Sequence, residues 1–270
     1  MIDTTMMDPL SAQYPYAPAA IQTLFHAKKI TEIHIGCSST TVYQILDDDY
    51  TLYLKIHPRS PHFSFLHEVS ILHWLAEQLP VPRVQGYITD TEYEYLLLTE
   101  VPGDNCVDAM ARLDNDQLVD LLALGLRQIH QINIARCPFD ECIDAKLERA
   151  RYRVQHALVD ENDFDDERLG MTAREVYAAL EECRPTEQDL VFTHGDYCLP
   201  NILLQGERIS GFIDLDRAGV SDRYNDLAIA SRSIAYNLGT AYEQQFFLSY
   251  GIENVDDEKI QYYRMMDELF

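Results

Sequence analysis

The sequence predicts an α+β chain of two lobes, strand-rich first and helix-rich second. Three observations lead there. Short alternating apolar segments fill 1–101. A Pro102-Gly103 pair then marks a break. Beyond it, apolar positions recur at helical spacing over long stretches.

In the first lobe, Ile33–Ile35 and Val42–Leu46 flank a polar turn, and Asp47-Asp48-Asp49 reads as a hairpin tip. Tyr50–Ile56 alternates as a strand. Phe65, Val69, Leu72, Leu75 and Ala76 place one helix over Ser64–Leu79, stopped before Pro80. Val84–Ile88 and Tyr93–Thr99 read as two more strands. In the second lobe, 102–270, Leu118–Ile132 and Ala145–Leu158 read as helices, Asp160–Glu167 as an acidic connector, and Thr172–Cys183 as a further helix. Short strands are expected at Leu190–Thr193, Ile202–Leu204 and Ile209–Ile213. The last stretch is helical and closes with Asp256–Phe270. A cleft at the lobe junction is the expected place for ligands.

Composition narrows the functional classes. Hydrophobic residues make up 47% of the 270, which argues against disorder. No apolar run approaches the roughly 18 residues of a membrane span. Met1 to Leu10 lacks a basic segment followed by an apolar one, so no signal peptide and a cytoplasmic location are expected. Twenty-one basic residues against 45 acidic give a net charge of −24. Such a surface repels nucleic acid and anionic lipid and favours cationic partners, although solubility alone would also account for it. The six cysteines form no C-x-x-C pair and the nine histidines no H-E-x-x-H pattern. Neither a zinc site nor a disulfide framework is expected.

The chemistry-bearing segment is His194-Gly195-Asp196-Tyr197-Cys198-Leu199-Pro200-Asn201, followed by Gly211-Phe212-Ile213-Asp214-Leu215-Asp216-Arg217. Phosphoryl transfer needs a carboxylate to orient the attacking hydroxyl and oxygen ligands for Mg²⁺ on the nucleotide phosphates. An Asp with an Asn five residues later supplies a base and one ligand from a single loop. A second Asp after the next hairpin supplies another. Either segment alone would read equally well as ordinary turn residues; their conjunction does not.

These segments resemble the aminoglycoside phosphotransferase family, most closely its 3′-hydroxyl (kanamycin kinase) branch. The likeness runs on through Ala218-Gly219-Val220-Ser221-Asp222-Arg223-Tyr224-Asn225-Asp226, through Leu79-Pro80-Val81-Pro82, and to Asp267-Glu268-Leu269-Phe270. It implies a protein-kinase-like two-lobed fold, with 1–101 binding nucleotide and 102–270 carrying catalysis and substrate binding. It also implies ATP and Mg²⁺ as cofactors. By position, Asp196 matches the catalytic base, Arg217 an arginine beside it, and Asn201 and Asp214 the Mg²⁺ ligands. His194 is expected to be a scaffold donor rather than a base. Asp216 departs from the family's glycine and is expected to point to solvent.

On the nucleotide side, Lys55 in a strand and Glu68 on the following helix match the family's phosphate-binding lysine and its partner. Alone, Lys55 would read as a surface lysine. Leu54 and Ile56 are expected to face the core. Ser38 lies in the turn Gly36 to Thr41 and matches a phosphate-loop serine. Tyr53 matches an adenine-stacking aromatic, and Glu100-Val101 the hinge backbone. On the substrate side, a polycation needs several carboxylates, since one exposed pair contributes only about 0–1 kcal/mol. The resemblance assigns this to the connector (Asp163, Asp165, Asp166), to Asp267 and Glu268, and to the carboxylate of Phe270, with Arg232 near the sugar. Asn162 stands where the branch tends to carry an acid. Asp267-Glu268 at a helix C-terminus opposes the macrodipole, which itself suggests another task for the pair.

The implied activity is ATP- and Mg²⁺-dependent phosphorylation of an aminoglycoside hydroxyl, with a lean to 3′, by a monomer or weak dimer. Two alternatives stay open: a kinase for another small hydroxylated or cationic molecule, and a non-catalytic nucleotide-binding protein. No H-R-D or D-F-G sequence is present, which disfavours a protein kinase.

Overall fold

Alternation in the stretch around Lys55 sets the first sheet. A computed structural model of the chain describes residues 9–33 and 40–270; the expected phosphate-turn serine, Ser38, lies outside them. The chain divides into two units, Met1–Val101 and Pro102–Phe270.

In the first unit, two short helices, α1 (Pro9–Gln13) and α2 (Ala19–Leu24), precede strands β1 (Lys29–Ile33), β2 (Thr41–Leu46) and β3 (Thr51–Pro58). Helix α3 (Leu66–Leu75) and strands β4 (Val84–Thr89) and β5 (Tyr93–Thr99) follow. The strands form one antiparallel sheet in the order β1-β2-β3-β5-β4. On β3, Leu54 and Ile56 are buried while Tyr53 and Lys55, on the opposite face, are half-buried. The sequence reading placed one helix in this unit and missed α1 and α2. They are too short for periodicity to register, yet Tyr14, Ile21 and Phe25 pack with Tyr43, Ile45, Leu54, Ile56 and Tyr95 as its core.

Helix α3 is shorter than the expected Ser64–Leu79. Its start is held by the buried carboxylate of Glu94, which accepts from Phe65 N at 3.1 Å and Ser64 Oγ at 3.0 Å. At its far end both Gln78 N and Leu79 N donate to Leu75 O, so the chain turns out of the helix before Pro80.

The second unit opens with β6 (Asp104–Asn105) and α4 (Cys106–Ala109), then α5 (Asn115–His130), α6 (Ile143–Gln155) and α7 (Ala173–Glu182). Asp114 caps α5 by accepting from Asp116 N at 2.9 Å. Thr172 and Glu175 form a capping box on α7. Strands β7 (Leu190–Thr193), β8 (Ile202–Leu204), β9 (Ile209–Phe212) and β10 (Gly219–Asp222) come next. β7 pairs with β10, and β6-β8-β9 form a small antiparallel sheet. Strand β10 escapes sequence reading because it has four residues and no alternation. Helices α8 (Tyr224–Leu238), α9 (Ala241–Tyr250) and α10 (Asp257–Asp267) close the unit. Every residue from Tyr224 to Ser231 is buried, so the first half of α8 is enclosed on all sides. Asn225 and Asp226 within it therefore need partners. Among the described residues no helix is long and apolar enough to cross a membrane.

Candidate active site

Glycine is the residue that permits the loop after β7. Gly195 has φ +88, and a Cβ there would lie 2.0 Å from the Arg217 backbone oxygen. The turn leaves two backbone N–H groups pointing inward. Asp226 accepts both, from His194 N at 2.7 Å and Gly195 N at 2.9 Å. It also faces His130 Nε2 at 3.1 Å. Burial opposes charge on Asp226, but the hydrogen bond from His130 and the backbone N–H of His194 hold its carboxyl below the ordinary range.

Asp196 follows that glycine, part-buried. Asn201 Nδ2 donates to Asp196 Oδ2 at 2.9 Å and to its backbone oxygen at 3.0 Å. Arg217 Nη2 lies 3.5 Å from the same Oδ2. Ile213 N donates to Asn201 O at 3.0 Å, so Asp214 comes directly after a bond to the loop that carries Asn201. Asp214 holds φ +56, a left-handed conformation uncommon outside glycine but tolerated by Asp and Asn. Asp196, Asn201 and Arg217 are thus brought together as the sequence expected. Asp216 is exposed, also as expected.

His194 is fully buried, and its Nδ1 accepts from Asp196 N at 3.3 Å, which leaves Nε2 as the ring's donor. Burial lowers its pKa, and the charges of Asp226, Asp196 and Asp214 do not reverse that, so the ring is neutral near pH 7.

A chain of ion pairs extends from Arg217. Its Nη1 donates to Asp267 Oδ1 at 2.9 Å. Asp267 is also bridged to Arg232 Nη2, and Arg232 Nη1 donates to Asp165 Oδ2 at 3.2 Å. Glu268 accepts from Asp165 N at 3.2 Å and from Arg168 Nη1 at 3.2 Å. Burial opposes the charge of Asp267, yet Arg217 and Arg232 keep its carboxyl below the ordinary range. Glu268 goes the other way: burial and the neighbouring Asp165 charge push it up to about 7. Phe270 O accepts from Arg153 Nη2 at 3.1 Å, and its ring lies 5.6 Å from Lys146 Nζ. Asp163 and Asp166 are exposed, and the structure does not join them to this network.

In the first unit, Lys55 Nζ lies 2.6 Å from Glu68 Oε1, and both side chains are largely buried. Tyr53 Oη accepts from Gln44 Nε2 at 3.0 Å. Glu100 N donates to Thr51 O at 3.3 Å, which ties the end of β5 to the start of β3. Val101 is part-buried beside it.

Among the described residues no cluster of three His, Cys, Asp or Glu side chains could hold a metal alone. The donor set still suits Mg²⁺. That ion takes one or two protein oxygens and completes its shell with water and phosphate. With Nδ2 of Asn201 given to Asp196, Oδ1 remains as its cation-binding atom.

Sequence reading missed Asp226, His130 and Arg168. Asp226 ends the stretch that begins at Gly211, and the inward N–H groups that a G-D turn creates are the signal for an acceptor. Arg168, ending a connector with six acids, was legible as their counter-ion. His130 had no sequence signal.

A family model described as "Phosphotransferase enzyme family" matches residues 29–268. An aminoglycoside 3′-phosphotransferase of Niallia circulans is 36% identical over 255 residues, covering 94% of this chain and 97% of that protein. The crystal structure of a type VIII aminoglycoside-3′-phosphotransferase superposes with a TM-score of 0.80 at 32% identity, over 90% of this chain and 93% of that one. An aminoglycoside phosphotransferase of Streptomyces rimosus, in complex with ADP and streptomycin, superposes with a TM-score of 0.76 at 25% identity, over 93% and 97%.

Proposed function

The chain belongs to the phosphotransferase enzyme family, among its aminoglycoside 3′-phosphotransferases, and from that premise we propose that it transfers the γ-phosphoryl of ATP to the 3′-hydroxyl of an aminoglycoside antibiotic and so confers resistance. One observation carries the reading: a carboxylate, Asp196, oriented by an amide 2.9 Å away and flanked by a guanidinium at 3.5 Å. Asp196 orients the acceptor hydroxyl and takes its proton as the oxygen attacks phosphorus in line. ADP leaves on the opposite side. Lys55, held by Glu68, balances charge on the nucleotide phosphates. Tyr53 offers a face to adenine, and the Glu100-Val101 backbone meets its edge, with the donor coming from Val101 because the Glu100 N–H is taken. Asn201, through Oδ1, and Asp214 would hold magnesium. When bound, the ion neutralises phosphate charge.

Asp165, Asp267 and Glu268 receive the ammonium groups of the drug, Arg232 orients the sugar, and Asp163 and Asp166 add an outer acidic field. The Phe270 segment is held in place by Arg153. Dependence on ATP supports a cytoplasmic location. The enzyme is read as a monomer or weak dimer, which sedimentation velocity checks.

The deciding assay couples ADP release to turnover on kanamycin, which has a 3′-hydroxyl, and tobramycin, which lacks it. Kanamycin should be consumed and tobramycin not. Asp196→Ala should lower kcat on kanamycin by about 10²–10⁴-fold. Equal rates on the two drugs would remove the 3′ assignment, and near-normal turnover by Asp196→Ala would remove the base.

A further inference from the structure

We propose that His130 is a positioning residue for the catalytic loop, acting through Asp226 as the middle member of a buried hydrogen-bond relay that begins at Tyr250. The relay joins α5, α8 and α9 beneath the loop. His130 is the last residue of α5 and its side chain is 3% exposed. Its Nδ1 lies 2.6 Å from Tyr250 Oη, and its Nε2 lies 3.1 Å from Asp226 Oδ2. Arg223 Nη1 in turn donates to Tyr250 Oη at 3.0 Å, and Arg223 is paired with Asp189.

One direction of polarity satisfies every donor and acceptor in the relay. Arg223 has only protons to give, so Tyr250 oxygen accepts from it. The Tyr250 phenol keeps its proton, since burial raises its pKa, and donates to His130 Nδ1. The other nitrogen, Nε2, then carries the imidazole proton and donates to the Asp226 carboxylate. Asp226 closes the relay by accepting the N–H groups of His194 and Gly195, the two residues before Asp196. Each group is satisfied by the next. Buried networks of this kind fix geometry when complete and loosen it when one member is lost.

His130 reaches the reacting atoms only through Asp226 and the backbone of the loop. Its contribution is therefore orientation of Asp196. Misplacement of a reacting group by about 1 Å lowers rates by roughly 10²-fold. Without the Nε2 donor, one oxygen of Asp226 loses its side-chain partner, and the turn at Gly195 gains freedom to shift. The proposal rests on the reading of Asp196 as the base.

The test measures kcat and KM for ATP and kanamycin in His130→Ala, His130→Gln, His130→Asn and Tyr250→Phe. Rates are normalised to folded protein counted by nucleotide-binding stoichiometry. His130→Ala should lower kcat roughly ten- to a hundredfold with both KM values within about twofold of wild type. A Gln amide nitrogen reaches the place of Nε2, so His130→Gln should recover most of the rate. An Asn amide nitrogen takes the place of Nδ1, faces Tyr250 and should not. Tyr250→Phe should lower kcat by a smaller factor in the same direction. An unchanged kcat per folded molecule in His130→Ala would overturn the proposal, as would Gln and Asn variants that behave alike. If His130→Ala does not fold, the Gln–Asn contrast and Tyr250→Phe still decide. Wild-type protein inactive on every aminoglycoside would count against the reading of Asp196 rather than against the relay.

Discussion

Arg217 Nη1 donates to Asp267 Oδ1 at 2.9 Å, and this bond ties the loop after β9 to the end of α10. The same guanidinium lies 3.5 Å from Asp196, so one side chain stands between the proposed base and the proposed drug site. Arg217→Ala should lower kcat by tenfold or more, since Asp196 loses an orienting neighbour. It should also raise KM for kanamycin while leaving KM for ATP in place. Asp267 keeps Arg232, so the stability loss should be modest, about 1–3 kcal/mol in urea denaturation. A variant with normal kcat would show that the pairing with Asp196 is idle.

Glu68 holds Lys55 at 2.6 Å in largely buried surroundings. Glu68→Gln keeps the shape and removes the charge. The lysine is then less well placed for phosphate, and kcat/KM for ATP should fall about tenfold or more, which is 1.4 kcal/mol or more of transition-state stabilisation. KM for kanamycin should stay within about twofold. Steady-state kinetics with each substrate varied in turn separates the two.

Asp214 adopts φ +56. Asn tolerates that conformation and Ala does not, the left-handed region raising the energy of other residues by about 1–2 kcal/mol. Asp214→Asn should therefore melt close to wild type, and Asp214→Ala several degrees lower. Both should need more Mg²⁺ for half-maximal activity. Equal Mg²⁺ dependence in Asp214→Asn and wild type would remove Asp214 from the ion's ligands.

Glu268 keeps its proton up to about pH 7 in the folded protein, against 4.5 as the reference value. Between those values the folded state binds more protons than the unfolded state. The stability this contributes is complete below about 4.5 and is lost as pH rises through about 7. The loss is at most about 1.4 kcal/mol per pH unit. Urea midpoints between pH 5 and 8 should fall more steeply for wild type than for Glu268→Gln. Parallel profiles would show that the residue does not titrate in this window.

The large outlines were legible because they rest on periodicity and spacing. β3 shows its alternation at Leu54 and Ile56, and α5 its helical stripe. The five-residue offset of Asp196 and Asn201 is a property of one loop, so the sequence carried it whole. What it could not carry was partnership across distance. Nothing near Asp226 in the chain says that His130, 96 residues earlier, will meet it. Nothing near Asp165 says that Arg232 will bridge it to Asp267. The short helices α1 and α2 were lost for another reason: one turn of helix shows no period.

The acids expected to receive a cation already have resident guanidinium partners: Asp267 has Arg217 and Arg232, Asp165 has Arg232, and Glu268 has Arg168. An incoming amine must share these oxygens or shift an arginine aside. A molecule with a single ammonium gains little from such an exchange, whereas several ammonium groups on a rigid scaffold act at once. If these acids receive the drug as proposed, the resident arginines would make the site a sieve by valence, favouring a polyamine over monoamines and inorganic cations.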